Sequence, residues 1–235
     1  MCEWIDHGTA EPARRFWTVD PIDGTKGFLR GDQYVVALAL IEDARVQIGV
    51  LGCPRLPLQR LVSLPEDEKT SEAGCLVVAA RGQGTWATSL DQADQFVRLQ
   101  ASLCTDPSLA RLLSSVEADH TNHDKIAGFI RAMGIQIQAV RMDSQAKYAL
   151  LAAGQGELLL RLLSPRRPDY HEMIWDQAAG SIVIEEAGGR VTDLHGMLFD
   201  FSQGRTLARN QGVLASNGRL HEAALQALAL TGITV

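Results

Sequence analysis

Cysteine is sparse in this chain. Cys2, Cys53, Cys75 and Cys104 stand far apart, without the close pairs that zinc sites use. Thiols spread this way are expected to be reduced and mostly buried, in a cytoplasm-like compartment. A basic excess is also missing. The net charge is −6, with both signs spread along the chain and no basic stripe, so no nucleic-acid partner is expected. No apolar run is long enough to cross a bilayer, and no membrane partner is expected. The opening residues, Met1 to Gly8, lack the basic start and apolar stretch of a signal peptide and read like the middle of a protein. Internal repeats and low-complexity tracts are lacking too. What is present is a chain of 235 residues with 46% hydrophobic side chains, enough for one large domain or two small ones. A small anionic substrate stays open, because local cations or metals override net charge. Oligomeric state has no signature.

The apolar patterning predicts strands over 16–20, 34–41, 45–52 and 75–80, with a hairpin at Glu42-Asp43. Residues 57–74 read as a polar surface excursion. Arg81-Gly82-Gln83-Gly84 reads as a turn, since it lacks the full Gly-x-Gly-x-x-Gly pattern and a following helix. A strand and loop are expected over 92–106, then a short helix over 107–114. Helices are expected over 123–133, 146–153, 176–187 and 218–230, and strands over 158–163, 190–193 and 212–216. Residues 165–172 read as a basic loop. Alternating strands and helices in the second half argue for an α/β layer there. The expected division is 1–106 and 107–235, with the boundary at Asp106-Pro107.

The strongest chemical signal is Trp17-Thr18-Val19-Asp20-Pro21-Ile22-Asp23-Gly24-Thr25-Lys26-Gly27-Phe28. Two carboxylates lie close together at the end of an apolar strand. Pro21 stiffens the backbone between them, and Gly24 permits a tight turn. Such a turn can aim both carboxylates and the Ile22 carbonyl at one point, an oxygen set suited to Mg²⁺. The alternative is a loop whose aspartates only cap backbone amides. A second signal is Trp175-Asp176-Gln177-Ala178-Ala179-Gly180, followed by Glu185-Glu186-Ala187-Gly188-Gly189. Asp176 is either an N-cap or a third carboxylate held toward the metal. Lys147 and Arg161 supply cations, and Gly24-Thr25 can offer backbone N–H groups to an anion. His120 and His123 near Asp119 and Asp124 read as a solvated loop rather than a zinc site. Arg166-Arg167 reads as loop surface.

Together the two motifs resemble the two signatures of the inositol monophosphatase superfamily. Further stretches are similar to its 3'(2'),5'-bisphosphate nucleotidase branch: Gly27 to Gly31, Gly52-Cys53-Pro54, Ser115 to Ala118, Met142 to Tyr148, and Gly204 to Leu207. The resemblance implies an α/β protein with the layered α/β/α/β/α sugar-phosphatase fold. It also implies Mg²⁺-dependent, lithium-sensitive hydrolysis of the 3'-phosphate of adenosine 3',5'-bisphosphate to AMP and phosphate. By resemblance, Asp20, the Ile22 carbonyl, Asp23 and Asp176 hold metal, and Thr25 orients the attacking water. Asp143 faces the adenine, Ser144 and His120 line the nucleotide site, and Lys147 and Arg161 hold phosphate.

One departure stands out. Only 19 residues precede Asp20, whereas family members carry a long segment there that supplies helices, an aspartate and a glutamate to the site. Glu3 and Glu11 lack the family's context for that glutamate. The resemblance therefore implies that the first helical layer is missing. The alternatives are an inositol polyphosphate 1-phosphatase-type activity and an inactive fragment of the family.

Overall fold

The structure is a computed structural model, and it describes residues 13–62, 72–92, 94–116, 123–162 and 170–233. Six strands form an antiparallel sheet in chain order: β1 (Arg15–Asp23), β2 (Val35–Glu42), β3 (Arg45–Pro57), β4 (Gly74–Ala80), β5 (Gly84–Ser89) and β6 (Val97–Leu99). A short helix, α1 (Thr25–Arg30), joins β1 to β2. The second half supplies β7 (Leu112–Ser114), α2 (His123–Met133), β8 (Val140–Arg141), α3 (Ala146–Ala152), β9 (Leu158–Arg161), α4 (Ala178–Glu186), β10 (Arg190–Thr192), β11 (Val213–Ser216) and α5 (His221–Leu230). Its five strands form a mixed sheet in the order β10-β11-β9-β7-β8, in which β7 runs parallel to both β8 and β9.

The layers follow from side-chain patterning. Helices α3 and α4 are apolar nearly all round, which is the composition of a helix buried on several sides. Ala149, Ile182 and Val183 share one core with Ala37, Leu51 and Val77 of the first sheet and Leu159 and Ala215 of the second. Helices α2 and α5 cover the opposite side of the second sheet, where Phe129, Ala224 and Leu228 pack with Leu112, Leu160 and Leu214. Sheet, helices, sheet and helices thus stack in that order. The other face of the first sheet carries Trp17, Val19, Val36 and Trp86, each more than a third exposed.

Most expected elements are present, with bounds shifted by a few residues. Strand β5 was not foreseen: its Thr85, Thr88 and Ser89 break the apolar pattern of the neighbouring strands. Both threonine hydroxyls are satisfied inside the fold, by the carbonyls of Val183 and Gln92. The helix expected over 107–114 is a single 3-10 turn at Pro107–Leu109, capped by Asp106, followed by β7. Strand β8 also went unforeseen. The tip of the 57–74 excursion and most of the basic loop, including Arg166 and Arg167, lie outside the described residues. Asp106-Pro107 falls in the connection between the two sheets. Cys53 and Cys75 face each other across β3 and β4, and they and the half-buried Cys104 are free thiols. No described helix is long and apolar enough to cross a membrane.

Candidate metal and phosphate site

The site begins with an irregularity in β1. Asp20 pairs with Ala37 of β2, and Asp23 pairs with Val35, so three steps on β1 match two on β2. In a regular strand, residues three apart point to opposite faces. The extra residue restores the alternation, and both carboxylates face the same side. Pro21 is tolerated there because β1 is an edge strand. The Asp20 carboxylate accepts the backbone N–H of Ile22 at 3.0 Å. Gly24 then takes a left-handed conformation, φ 83°, and starts α1. A side chain there would also collide with Ser144, whose Cβ would lie 2.8 Å from the added carbon. This is the tight turn expected from the sequence.

The third carboxylate comes from the second half. Asp176 ends a 3-10 turn (Ile174–Asp176), and Gln177, not Asp176, occupies the N-cap position of α4. The N-cap role considered for Asp176 is therefore not the one it plays. Asp20, Asp23 and Asp176 each offer a carboxylate oxygen within 4.8 Å of the others. Burial pushes Asp23 up to about 6, against the N–H of Gln145 and the charge of Lys147. Burial likewise pushes Asp176 up to about 7; Arg161 opposes this, and Asp23 adds to it. Asp20 is raised by burial as well. Three half-buried carboxylates held this close repel one another when ionised. A divalent cation would relieve that repulsion, and an all-oxygen donor set suits a hard one. The cluster is compatible with a metal site. The Ile22 carbonyl accepts from the Thr25 hydroxyl at 3.0 Å.

Facing the carboxylates is a cavity of about 290 Å³, whose lining includes Thr25, Asp143, Ser144, Lys147, Arg161 and Tyr170. Lys147 is buried, and its ammonium donates to the carbonyls of Met142 at 3.0 Å and Ser144 at 2.9 Å. Burial pulls its pKa down to about 8, against the opposing pull of Asp23. Ser144 has a positive φ of 63°, a strained conformation of the kind that clusters at functional sites. Arg161 is held by buried Glu172, Nε to carboxylate 2.8 Å, and donates to the Tyr170 hydroxyl at 3.3 Å. Burial opposes the charge of Arg161, but Glu172, Tyr170 and Asp176 outweigh it and raise its pKa. Asp143 is buried and ion-paired with Arg30.

The structure thus brings together nine of the ten residues singled out from the sequence. The tenth, His120, lies outside the described residues. Sequence reasoning missed Gln145, Tyr148, Glu172, Tyr170 and Gln177, which hold the others in place. Gln177 donates to Glu172 at 2.9 Å and accepts from the Tyr148 hydroxyl. Gln145 and Tyr148 sit inside a stretch already quoted for its resemblance, so the signal was at hand.

An α/β core of stacked sheets and helices, with an oxygen-donor cluster and the cations Lys147 and Arg161 lining one cavity, is compatible with a metal site beside an anion site. The chain belongs to the inositol monophosphatase family, whose model matches residues 4–230. It is 40% identical to a 3'(2'),5'-bisphosphate nucleotidase of Emericella nidulans, over 97% of this chain and 67% of the relative. Identity to the enzyme of that name from Oryza sativa is 43%, over 95% of this chain and 62% of the relative. The chain thus spans about two thirds or less of these relatives' length. Among solved structures, it matches an inositol monophosphatase from Anabaena at TM-score 0.67 and 20% identity, over 94% of this chain and 74% of that one. One from Zymomonas mobilis matches at TM-score 0.69 and 20% identity, over 94% and 73%. At that identity the likeness shows the fold, which is the one the sequence motifs implied.

Proposed function

We propose that this chain carries the catalytic centre of a Mg²⁺-dependent phosphomonoesterase that removes the 3'-phosphate of adenosine 3',5'-bisphosphate, giving AMP and phosphate. The observation that carries the reading is that three converging carboxylates share one cavity with two cations, the buried Lys147 and the half-buried Arg161. The nucleotidase names of the relatives at 40–43% identity support the substrate.

Asp20, Asp23, Asp176 and the Ile22 carbonyl would hold the cation. Bound magnesium supplies an acidified water and neutralises charge on the phosphate oxygens. The residues of the chain do the rest. Thr25 donates its proton to Ile22, so its oxygen lone pairs stay available to accept from the attacking water. Lys147 uses two of its three N–H groups on carbonyls, leaving one for a phosphate oxygen. Arg161 is locked by Glu172 and Tyr170, and its remaining donors can fork onto phosphate. Hydrolysis transfers the phosphoryl group to water and breaks its bond to the 3'-oxygen. Asp143 and Ser144 line the same cavity; their roles toward the nucleoside, like that of His120, are carried by resemblance.

The test is phosphate release in Mg²⁺ from adenosine 3',5'-bisphosphate and from inositol 1,4-bisphosphate. Faster turnover of the nucleotide is expected. Preference for the inositol phosphate would overturn the substrate, and release from neither would point to an inactive member of the family.

A further inference from the structure

Gln145 is 2% exposed and makes three bonds around the carboxylate cluster. Its backbone N–H donates to the Asp23 carboxylate. Its side-chain amide donates to the Trp175 carbonyl at 3.0 Å and accepts the Gly180 N–H at 3.0 Å. The first bond ends on the β1 motif. The other two grip the turn on either side of Asp176. One residue therefore ties together two carboxylate-bearing segments that come from opposite halves of the chain.

The geometry points to Gln145 as a positioning residue that fixes the separation between Asp23 and Asp176, and with it the shape of the cation site. The inference rests on the metal reading of that cluster. The physical case is one of satisfaction. Gly180 N is a buried group in the first turn of α4, where helix N–H groups lack partners of their own, and Trp175 O is a part-buried carbonyl in the turn before it. The fork of one amide satisfies both, as donor and acceptor, and both must hold station for the bond pair to persist. No aliphatic side chain can do this. Without the fork, the turn carrying Asp176 loses two bonds to the start of α3 and keeps that of the Tyr148 hydroxyl to Gln177, while Asp23 stays on β1. Residues one step removed from metal ligands typically set affinity by about 10–100-fold.

The test uses Mn²⁺ alone as probe, titrated into the metal-free chain by calorimetry, with folding checked by circular dichroism. Gln145→Met keeps the length and volume of the side chain but removes both amide bonds. It is expected to weaken Mn²⁺ at least about tenfold. Thr85→Val is the comparison. It removes a buried bond to the Val183 carbonyl of the same helix α4, well away from the carboxylates, and should leave Mn²⁺ affinity unchanged. Asp23→Asn reports on the site itself. Unchanged affinity in a folded Gln145→Met overturns the inference, as does an equal loss in Thr85→Val, which would make the effect general loosening. If Gln145→Met does not fold, Gln145→Glu takes its place. It keeps the acceptor for Gly180 but sets a carboxylate oxygen against the Trp175 carbonyl, and a wild-type affinity there also overturns the inference. Wild-type chain that binds no Mn²⁺, or an Asp23→Asn variant that binds as wild type, would instead overturn the metal reading.

Discussion

Arg30, at the end of α1, is ion-paired with Asp143, in the loop just before α3. The pair joins the segment after the Asp20-Asp23 motif to the segment before Lys147. Asp143 is almost wholly covered while Arg30 is partly open, so the carboxylate is the member that depends on the pairing. Removing the guanidinium alone leaves a buried charge without its partner. Arg30→Met is therefore expected to cost about 1–3 kcal/mol in folding stability. The double variant Arg30→Met, Asp143→Asn should cost less than the sum of the two single changes. Urea melts of the four proteins measure the coupling, and strict additivity would remove the pair from the account.

The same carboxylate bears on substrate choice. Asp143→Ala should reduce turnover of adenosine 3',5'-bisphosphate more than that of inositol 1,4-bisphosphate, by about 1–3 kcal/mol of discrimination. Equal losses on the two substrates would show that Asp143 only supports the wall of the cavity through Arg30.

His221 predicts a pH dependence far from the cavity. It is fully buried at the start of α5, and its ring nitrogens lie 3.0 Å from the Thr192 hydroxyl and 2.8 Å from that of Ser216. Burial holds its pKa down to about 4, against 6.5 when exposed. Between these values the unfolded chain binds a proton that the folded chain refuses, so stability rises with pH. Its contribution is fully present above about pH 6.5 and is lost as pH falls toward 4. From pH 7 to pH 4.5 the wild type should lose on the order of 2 kcal/mol more than His221→Gln. Denaturant melts at the two pH values check this, and parallel losses would contradict it.

How much of this was legible beforehand can be judged residue by residue. Asp20, Asp23 and Asp176 stood out because the motifs around them are dense in turn formers and carboxylates. The bulge that turns Asp20 and Asp23 to one side did not, since it exists only in the register of β1 against β2. Strand β5 was hidden because its threonines look solvent-loving until Val183 and Gln92 supply their partners. Glu172 sits in what reads as a polar loop, yet it is 2% exposed under Arg161. Gln145 acts on Asp23 across 122 positions, and no local pattern announces a contact of that kind.

Gly180 shows how tightly α3 and α4 meet beneath the site. A Cβ at this position would lie 2.4 Å from the Tyr148 ring. Gly180→Ala must therefore push Tyr148 aside and strain its bond to Gln177. A cost of about 1–3 kcal/mol is expected, as for other overpacked cores. Thermal denaturation measures it, and an unchanged midpoint would mean that the two helices can part without loss.

The most direct test of the account is a calorimetric titration of Mg²⁺ into metal-free protein at pH 6 and pH 8. Asp23 is pushed up to about 6 and Asp176 to about 7 by burial, so both are partly protonated at pH 6. A cation needs them ionised and must displace those protons. The account predicts tighter binding at pH 8, proton release on binding at pH 6, and loss of about tenfold or more in affinity in Asp23→Asn. Affinity that is the same at both pH values, without proton release, or an Asp23→Asn variant that binds as wild type does, would contradict it.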